Sequence, residues 1–149
     1  MEDQNVSNAS VAFGLDTNAG GIDHNTEKNW IFPVKNFEKR DYQLNISRSA
    51  IQYNTLVILP TGLGKTFIAS VAIYNFLRYF PNAKIVFMAP TRPLVNQQMS
   101  ACYDVVGIPK EETAEMTGRI RKDKRVNLWD TKRLFFCTPQ VLQSDLAEK

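Results

Sequence analysis

Several things are scarce in this 149-residue chain, and each scarcity removes a class of protein. No apolar run approaches the ~18 residues that a membrane-spanning helix requires, so no such span is read here. The opening Met-Glu-Asp-Gln-Asn-Val is acidic and polar, which is not the pattern of a secretory signal. There is a single histidine, His24, in a polar stretch with nothing nearby to complete a metal site or a catalytic pair. The two cysteines, Cys102 and Cys137, are far apart and lie in apolar surroundings, Ala-Cys-Tyr and Phe-Phe-Cys. They read as small core residues in a reducing compartment, not as a disulfide framework. No internal repeat is visible. What remains is a chain with 44% apolar residues, the length and composition of one globular domain.

Charge is unevenly distributed. Residues 1–30 carry Glu2, Asp3, Asp16, Asp23 and Glu27 against Lys28, a balance of −4, so the remainder must carry +7 to reach the total of +3. Most of that excess lies in residues 117–133. There Arg119, Arg121, Lys122, Lys124, Arg125, Lys132 and Arg133 face only Asp123 and Asp130. A local +5 attracts polyanions. By itself the segment reads at least as well as a solvated basic helix face.

Residues 1–28 are rich in Asn, Asp, Gly, Ser and Thr and poor in large apolar residues, the composition of a disordered tail. Order is expected from Trp30-Ile31-Phe32. Tyr42, Ile46 and Ala50 fall at i, i+4 spacing and predict an amphipathic helix over 40–53, capped by Asp41 or a neighbour. The apolar run Thr55–Leu59 predicts a strand. Lys65–Phe80 is apolar on much of its circumference and predicts a well-buried helix ended by Pro81-Asn82. Lys84–Met88 and Arg133–Cys137 read as strands covered on both faces, with Thr113–Met116 as a weaker strand between them. Helices are expected over 94–105, over 121–130 and after Thr138. Strands alternating with helices imply a mainly parallel sheet with flanking helices. Ligands in such sheets bind at the carboxyl ends of strands, where the loops 60–66, 89–93 and 138–140 would converge.

One of those loops carries most of the chemistry. Leu59-Pro60-Thr61-Gly62-Leu63-Gly64-Lys65-Thr66 sits between a strand and a helix, the context of a phosphate-binding loop. Glycines let the backbone N–H groups close around phosphate oxygens. Lys65 can reach the β- and γ-phosphates, and the Thr66 hydroxyl can ligate Mg²⁺. These two are the candidate catalytic residues. The general pattern has glycine where Leu59 stands, so the match is incomplete as a bare motif; an ordinary Gly-rich turn is the plain alternative.

Upstream, Arg40-Asp-Tyr-Gln43 offers a side-chain amide whose donor and acceptor match the N6/N7 edge of adenine. Alone, Gln43 reads equally as a surface glutamine; with the loop downstream, the adenine reading prevails. Thr91, Arg92 and Pro93 open a helix and can present a hydroxyl, a guanidinium and backbone N–H groups to a nucleic-acid phosphate. Thr138-Pro139-Gln140 repeats that arrangement, and Thr117-Gly118 lies between. Contacts of this kind fall on the backbone rather than on base edges and imply motion along a strand without sequence preference.

Together these residues resemble the first RecA-like domain of superfamily-two helicases. More narrowly they resemble the Fanconi anaemia group M family of DNA-remodelling helicases. The resemblance rests on Arg40-Asp-Tyr-Gln, Leu59-Pro-Thr-Gly-Leu-Gly-Lys-Thr-Phe-Ile-Ala, and Lys84 through Gln98. Gly107-Ile-Pro, Thr117-Gly and Thr138-Pro-Gln-Val-Leu add to it, and it covers roughly residues 30–149. Leu59 belongs to this family's own form of the loop. The resemblance implies a nuclear, ATP- and Mg²⁺-dependent DNA translocase. It would act on branched or single-stranded DNA at stalled forks and Holliday junctions, alongside repair-complex proteins. It also implies that residues 29–149 form an incomplete RecA-like domain. The family's Asp-Glu-Ala-His box, which holds Mg²⁺ and orients the attacking water, does not occur within these residues. The chain by itself is therefore expected to bind nucleotide weakly without useful hydrolysis, and to leave an apolar edge such as Arg133–Cys137 open. The alternatives are a non-catalytic nucleotide- or DNA-binding product and an RNA helicase of the same superfamily.

Overall fold

The computed structural model describes residues 30–33, 38 and 40–147; the polar tail expected over 1–28 lies outside the described residues. Helix α1 (Asp41–Gln52) is followed by α2 (Lys65–Tyr79), β1 (Ile85–Met88) and α3 (Arg92–Val106). A short 3₁₀ turn (Lys110–Glu112) then leads into β2 (Thr113–Met116), α4 (Lys122–Thr131), β3 (Leu134–Cys137) and α5 (Pro139–Leu146). The three strands form one parallel sheet in the order β1-β3-β2, as the alternation of elements predicts.

Two apolar layers sandwich that sheet, and the strand period of two sorts the residues between them. Leu134 and Phe136 of β3 turn one way and pack with Ile73 and Leu77 of α2 and Val95 and Cys102 of α3. Phe135 and Cys137 turn the other way, with Ala114 and Met116 of β2 and with Leu128, Trp129, Val141 and Leu142 of α4 and α5. All four β3 side chains are fully buried. The expectation of an exposed apolar edge at Arg133–Cys137 is therefore overturned. β3 is the central strand, hydrogen-bonded on one side to β1 and on the other to β2.

The second correction concerns Thr55–Leu59. Among the described residues this segment pairs with no strand, and Leu56 and Ile58 are 84% and 83% exposed. Its apolar, β-prone sequence is real, but a ladder needs a partner backbone. The described strands find theirs in one another, so propensity goes unrewarded here. The predicted cap of α1 is likewise not made by a side chain. The N-cap is Arg40, with no capping bond, and Asp41 instead lies in the first turn, where its charge favours the helix dipole.

Long-range polar bonds fasten the layers. Asn75, fully buried on α2, accepts from the Ile31 backbone N–H at 2.7 Å and donates to its carbonyl at 2.9 Å. That holds the segment beginning at Trp30 against α2. Phe32 adds an edge-to-face contact with Phe67. Two cations close helix ends whose last carbonyls lack intrahelical partners. Lys84 donates to carbonyls at the end of α4, including that of Trp129, and Arg133 donates to the carbonyls of Leu77 (2.7 Å) and Phe80 (2.9 Å) at the end of α2.

Candidate functional site

The loop before α2 is shaped by two glycines. Gly62 and Gly64 have φ of 84° and 87°, a region that side chains with a Cβ rarely occupy. Gly64 has a second reason to be glycine. A Cβ there would lie 2.3 Å from Nε2 of Gln43. The Gln43 amide is buried and donates to the Leu63 carbonyl at 3.3 Å, and the Tyr42 hydroxyl donates to the same carbonyl at 3.0 Å. Arg40, exposed, donates to the Tyr42 hydroxyl at 3.3 Å. The structure thus brings Arg40, Gln43 and the loop 59–66 into one place, although some twenty residues separate them in sequence.

Lys65 folds back over the loop, its Nζ donating to the carbonyls of Leu59 (2.7 Å) and Pro60 (3.1 Å). Thr66 donates its hydroxyl proton to Oε1 of Gln98 at 2.5 Å. Among the described residues no carboxylate bonds to either side chain. The arrangement offers a cation at the loop mouth, a hydroxyl oxygen, and a helix N-terminus beneath them, a donor set that fits a polyphosphate and a hard divalent ion.

Parallel register places the other candidates. Met88, Cys137 and Met116 are ladder partners at the strand ends, so Ala89–Pro93, Thr138–Gln140 and Thr117-Gly118 all leave the sheet at one edge. Thr91 and Thr138 are the N-cap residues of α3 and α5, each followed by proline within the first two helical positions. Neither makes a side-chain capping bond, so both helices open with N–H groups free of that partner. Thr91, Pro93, Gly118, Pro139 and Gln140 are exposed, whereas Arg92 and Thr138 are half-buried. Nε of Arg92 is buried without a hydrogen-bond partner among the described residues.

The basic segment divides on folding. Arg119, Arg121, Lys122 and Lys124 stay exposed. Arg125 does not. Its guanidinium is buried against Asp145, with bonds of 2.6 to 3.0 Å, and donates to the Ile120 carbonyl at 2.7 Å. The Trp129 indole also donates to Asp145. Those bonds, Arg125 foremost, hold the Asp145 carboxyl below the ordinary aspartate range. Arg133 pairs with Glu112 at 2.7 Å. Lys132 donates to the Glu111 carbonyl at 2.5 Å, so three of the seven cations counted in the sequence serve the fold rather than a polyanion. No spacing in the sequence announces the Arg125–Asp145 pair, since twenty residues lie between them. Burial raises the thiol pKa of Cys102, and the bond from Ser70 only partly offsets this, so that thiol is not activated.

Residues 36–149 match the family described as type III restriction enzyme, res subunit. The chain belongs to that family. It is 56% identical over 133 residues to the Fanconi anemia group M protein homolog of Mus musculus, covering 89% of this chain and 6% of that protein. It is 50% identical over 125 residues to the ATP-dependent DNA helicase fml1 of Schizosaccharomyces pombe, covering 84% of this chain and 15% of that protein. The chain thus spans a small part of the curated relatives it matches. Among solved structures it is similar to the Hef helicase domain of Pyrococcus furiosus, with a TM-score of 0.67 and 32% identity, over 74% of this chain and 23% of that one. The resemblance to the Fanconi anaemia group M family is thereby shown, as is the RecA-like α/β fold.

Proposed function

We propose that residues 29–149 are the nucleotide-binding part of an ATP-dependent DNA helicase whose family role is the remodelling of branched DNA in repair, within the nucleus and alongside repair-complex proteins. The observation that carries this reading is the joining of Gln43 to the loop 59–66 through Leu63, with Thr66 at the end of that loop bonded to Gln98 of α3, one of the two helices that open where the strands end. In it, Gln43 reads the adenine of ATP and Arg40 steadies Tyr42 beside it. Backbone N–H groups of Thr61 to Lys65 enclose the phosphates, and Lys65 leaves the carbonyls of Leu59 and Pro60 to meet them. Thr66 would hold Mg²⁺, which when bound neutralises charge on the β- and γ-phosphates. Thr91, Arg92, Pro93, Gly118, Thr138, Pro139 and Gln140 hold backbone phosphates of a DNA strand, with the exposed cations of 119–124 adding long-range attraction.

Since no carboxylate bonds to Lys65 or Thr66 among the described residues, the 149-residue chain by itself should bind nucleotide without turning it over. ATP turnover and fluorescent-ATP binding, measured with and without forked DNA for this chain and Lys65→Ala, test the reading. Nucleotide binding lost in Lys65→Ala, with negligible turnover in both, is the expected result. Turnover by the wild-type chain that Lys65→Ala abolishes would overturn the claim of inactivity. Stronger competition by single-stranded or duplex RNA than by forked DNA would redirect the reading to an RNA helicase.

A further inference from the structure

Gln98 stands in the second turn of α3, beyond Thr91, Arg92 and Pro93, the residues of that segment already given a role, and it accepts the hydroxyl proton of Thr66 at 2.5 Å. One turn further along both helices, the Ser70 hydroxyl shares its proton between the Thr66 carbonyl at 2.7 Å and Sγ of Cys102 at 3.1 Å. Thr66 and Ser70 are four apart on α2, and Gln98 and Cys102 are four apart on α3. The two helices are therefore clasped by two polar rungs in matching register. The inner rung is fully buried, since Ser70 and Cys102 are both 0% exposed, while the outer one lies at the loop mouth beside Lys65.

The outer rung has chemical consequences that the inner one lacks. A hydroxyl has one proton and two lone pairs. To ligate a cation it must offer a lone pair and send its proton elsewhere. A hydroxyl that turns its proton toward the ligand position instead repels the ion. The Gln98 carbonyl oxygen is the acceptor that settles this, and it is carried by a different helix from the one that bears the ligand.

We infer that Gln98 is a positioning residue for the divalent cation that accompanies the nucleotide. It takes the Thr66 proton, fixes the hydroxyl rotamer, and leaves the oxygen lone pairs facing the loop. This inference rests on the reading of the loop as a site for ATP and a hard divalent ion. It adds a partner for the metal ligand that lies 32 residues away in sequence.

The test is a titration of a fluorescent ATP analogue into the 149-residue chain, once with excess Mg²⁺ and once with EDTA. The variants are Gln98→Met, which keeps the volume and removes the acceptor, Gln98→Glu, which keeps an acceptor oxygen, and Cys102→Ala, which removes only the inner rung. Circular dichroism checks that each is folded, and Gln98→Ala serves in place of Gln98→Met if the latter is not. In the wild-type chain Mg²⁺ should tighten nucleotide binding. In Gln98→Met the Mg²⁺ concentration giving half of that effect should rise on the order of 10-fold, the size seen when a group orienting a metal ligand is lost. Binding in EDTA should be unchanged. Gln98→Glu and Cys102→Ala should retain the wild-type Mg²⁺ dependence. An unaltered Mg²⁺ dependence in Gln98→Met overturns the inference. So does an equal loss with and without Mg²⁺, or the same Mg²⁺ defect in Cys102→Ala, because each marks a helix clasp and nothing more. A wild-type chain that binds nucleotide with no Mg²⁺ effect overturns the cation reading as well, whereas a wild-type effect preserved in Gln98→Met overturns the role of Gln98 alone.

Discussion

Two apolar segments of similar length meet opposite fates in this molecule. Leu134–Cys137 becomes the centre of a parallel sheet, fully buried, with a strand on each side. Thr55–Leu59, just as apolar and leading into the glycine-bearing loop before α2, pairs with no described strand and leaves Leu56 and Ile58 in solvent. The difference does not lie in the residues. β3 has neighbours whose register delivers alternating side chains into two helix layers, while Thr55–Leu59 has backbone groups and apolar surface with nothing described to receive them. Strand formation is a property of pairs, and the apolar pattern is only a necessary condition.

Substitutions can break or sharpen that contrast. The largest effect is expected at Phe136, fully buried between α2, α3 and the sheet. Phe136→Ala should cost about 3–5 kcal/mol, read as a fall in the urea midpoint, which for a domain of this size approaches global unfolding. A cost under about 1 kcal/mol would mean that the centre of the sheet is not the core.

Next is the ion pair behind β3. Arg125→Ala leaves the half-buried Asp145 without its main partner and should cost about 1–3 kcal/mol, while Arg125→Met combined with Asp145→Leu should recover most of it. The pair also sets a pH dependence. Because the carboxyl of Asp145 is held below its unfolded value, its contribution is fully present above the unfolded aspartate pKa of about 4 and is lost as pH falls through the lower folded value. Urea midpoints measured from neutral pH downward should therefore fall below about pH 4 in the wild-type chain, and less steeply in the double variant.

Of the same order is Gly64→Ala, which demands φ near +87° of a residue with a Cβ and drives that Cβ into Gln43. A cost of about 1–3 kcal/mol in stability is expected. Removing the obstacle with Gln43→Ala should restore part of it and leave the strain from φ. Full restoration would show that the clash, not the backbone, requires glycine. The smallest effect belongs to Leu56→Ser. With that side chain 84% exposed, the urea midpoint should move by no more than about 0.5 kcal/mol. A large loss there would mean that the segment is packed after all.

Much of this was legible along the chain. The helices from 41, 65 and 92, the strands at 85 and 134, and the parallel sheet follow from periodicity and from the alternation of elements. The glycines of the loop announce the one conformation that Gly62 and Gly64 adopt. The motif Arg40-Asp-Tyr-Gln43 was readable as a partner of the loop, and the side chains of Tyr42 and Gln43 do bond to the Leu63 carbonyl. Less was legible wherever the partner is distant and of no special type. Nothing in the composition says that Arg125 and Arg133 are spent on Asp145 and Glu112 while Arg119 and Lys124 face solvent. Nothing separates Gln98 from Gln97 until the helix turns one of them toward Thr66.

By itself, then, the sequence determined the local chemistry: which backbone can take the left-handed turns of the loop, which runs favour helix or strand, and which family the motifs belong to. Those properties are set by each residue and its near neighbours. Only the tertiary structure decided which strand is central, which apolar run is left in solvent, which cations stay exposed, and where the Thr66 proton goes. Each of these depends on a partner brought close by folding, at a separation in the chain that no local pattern encodes.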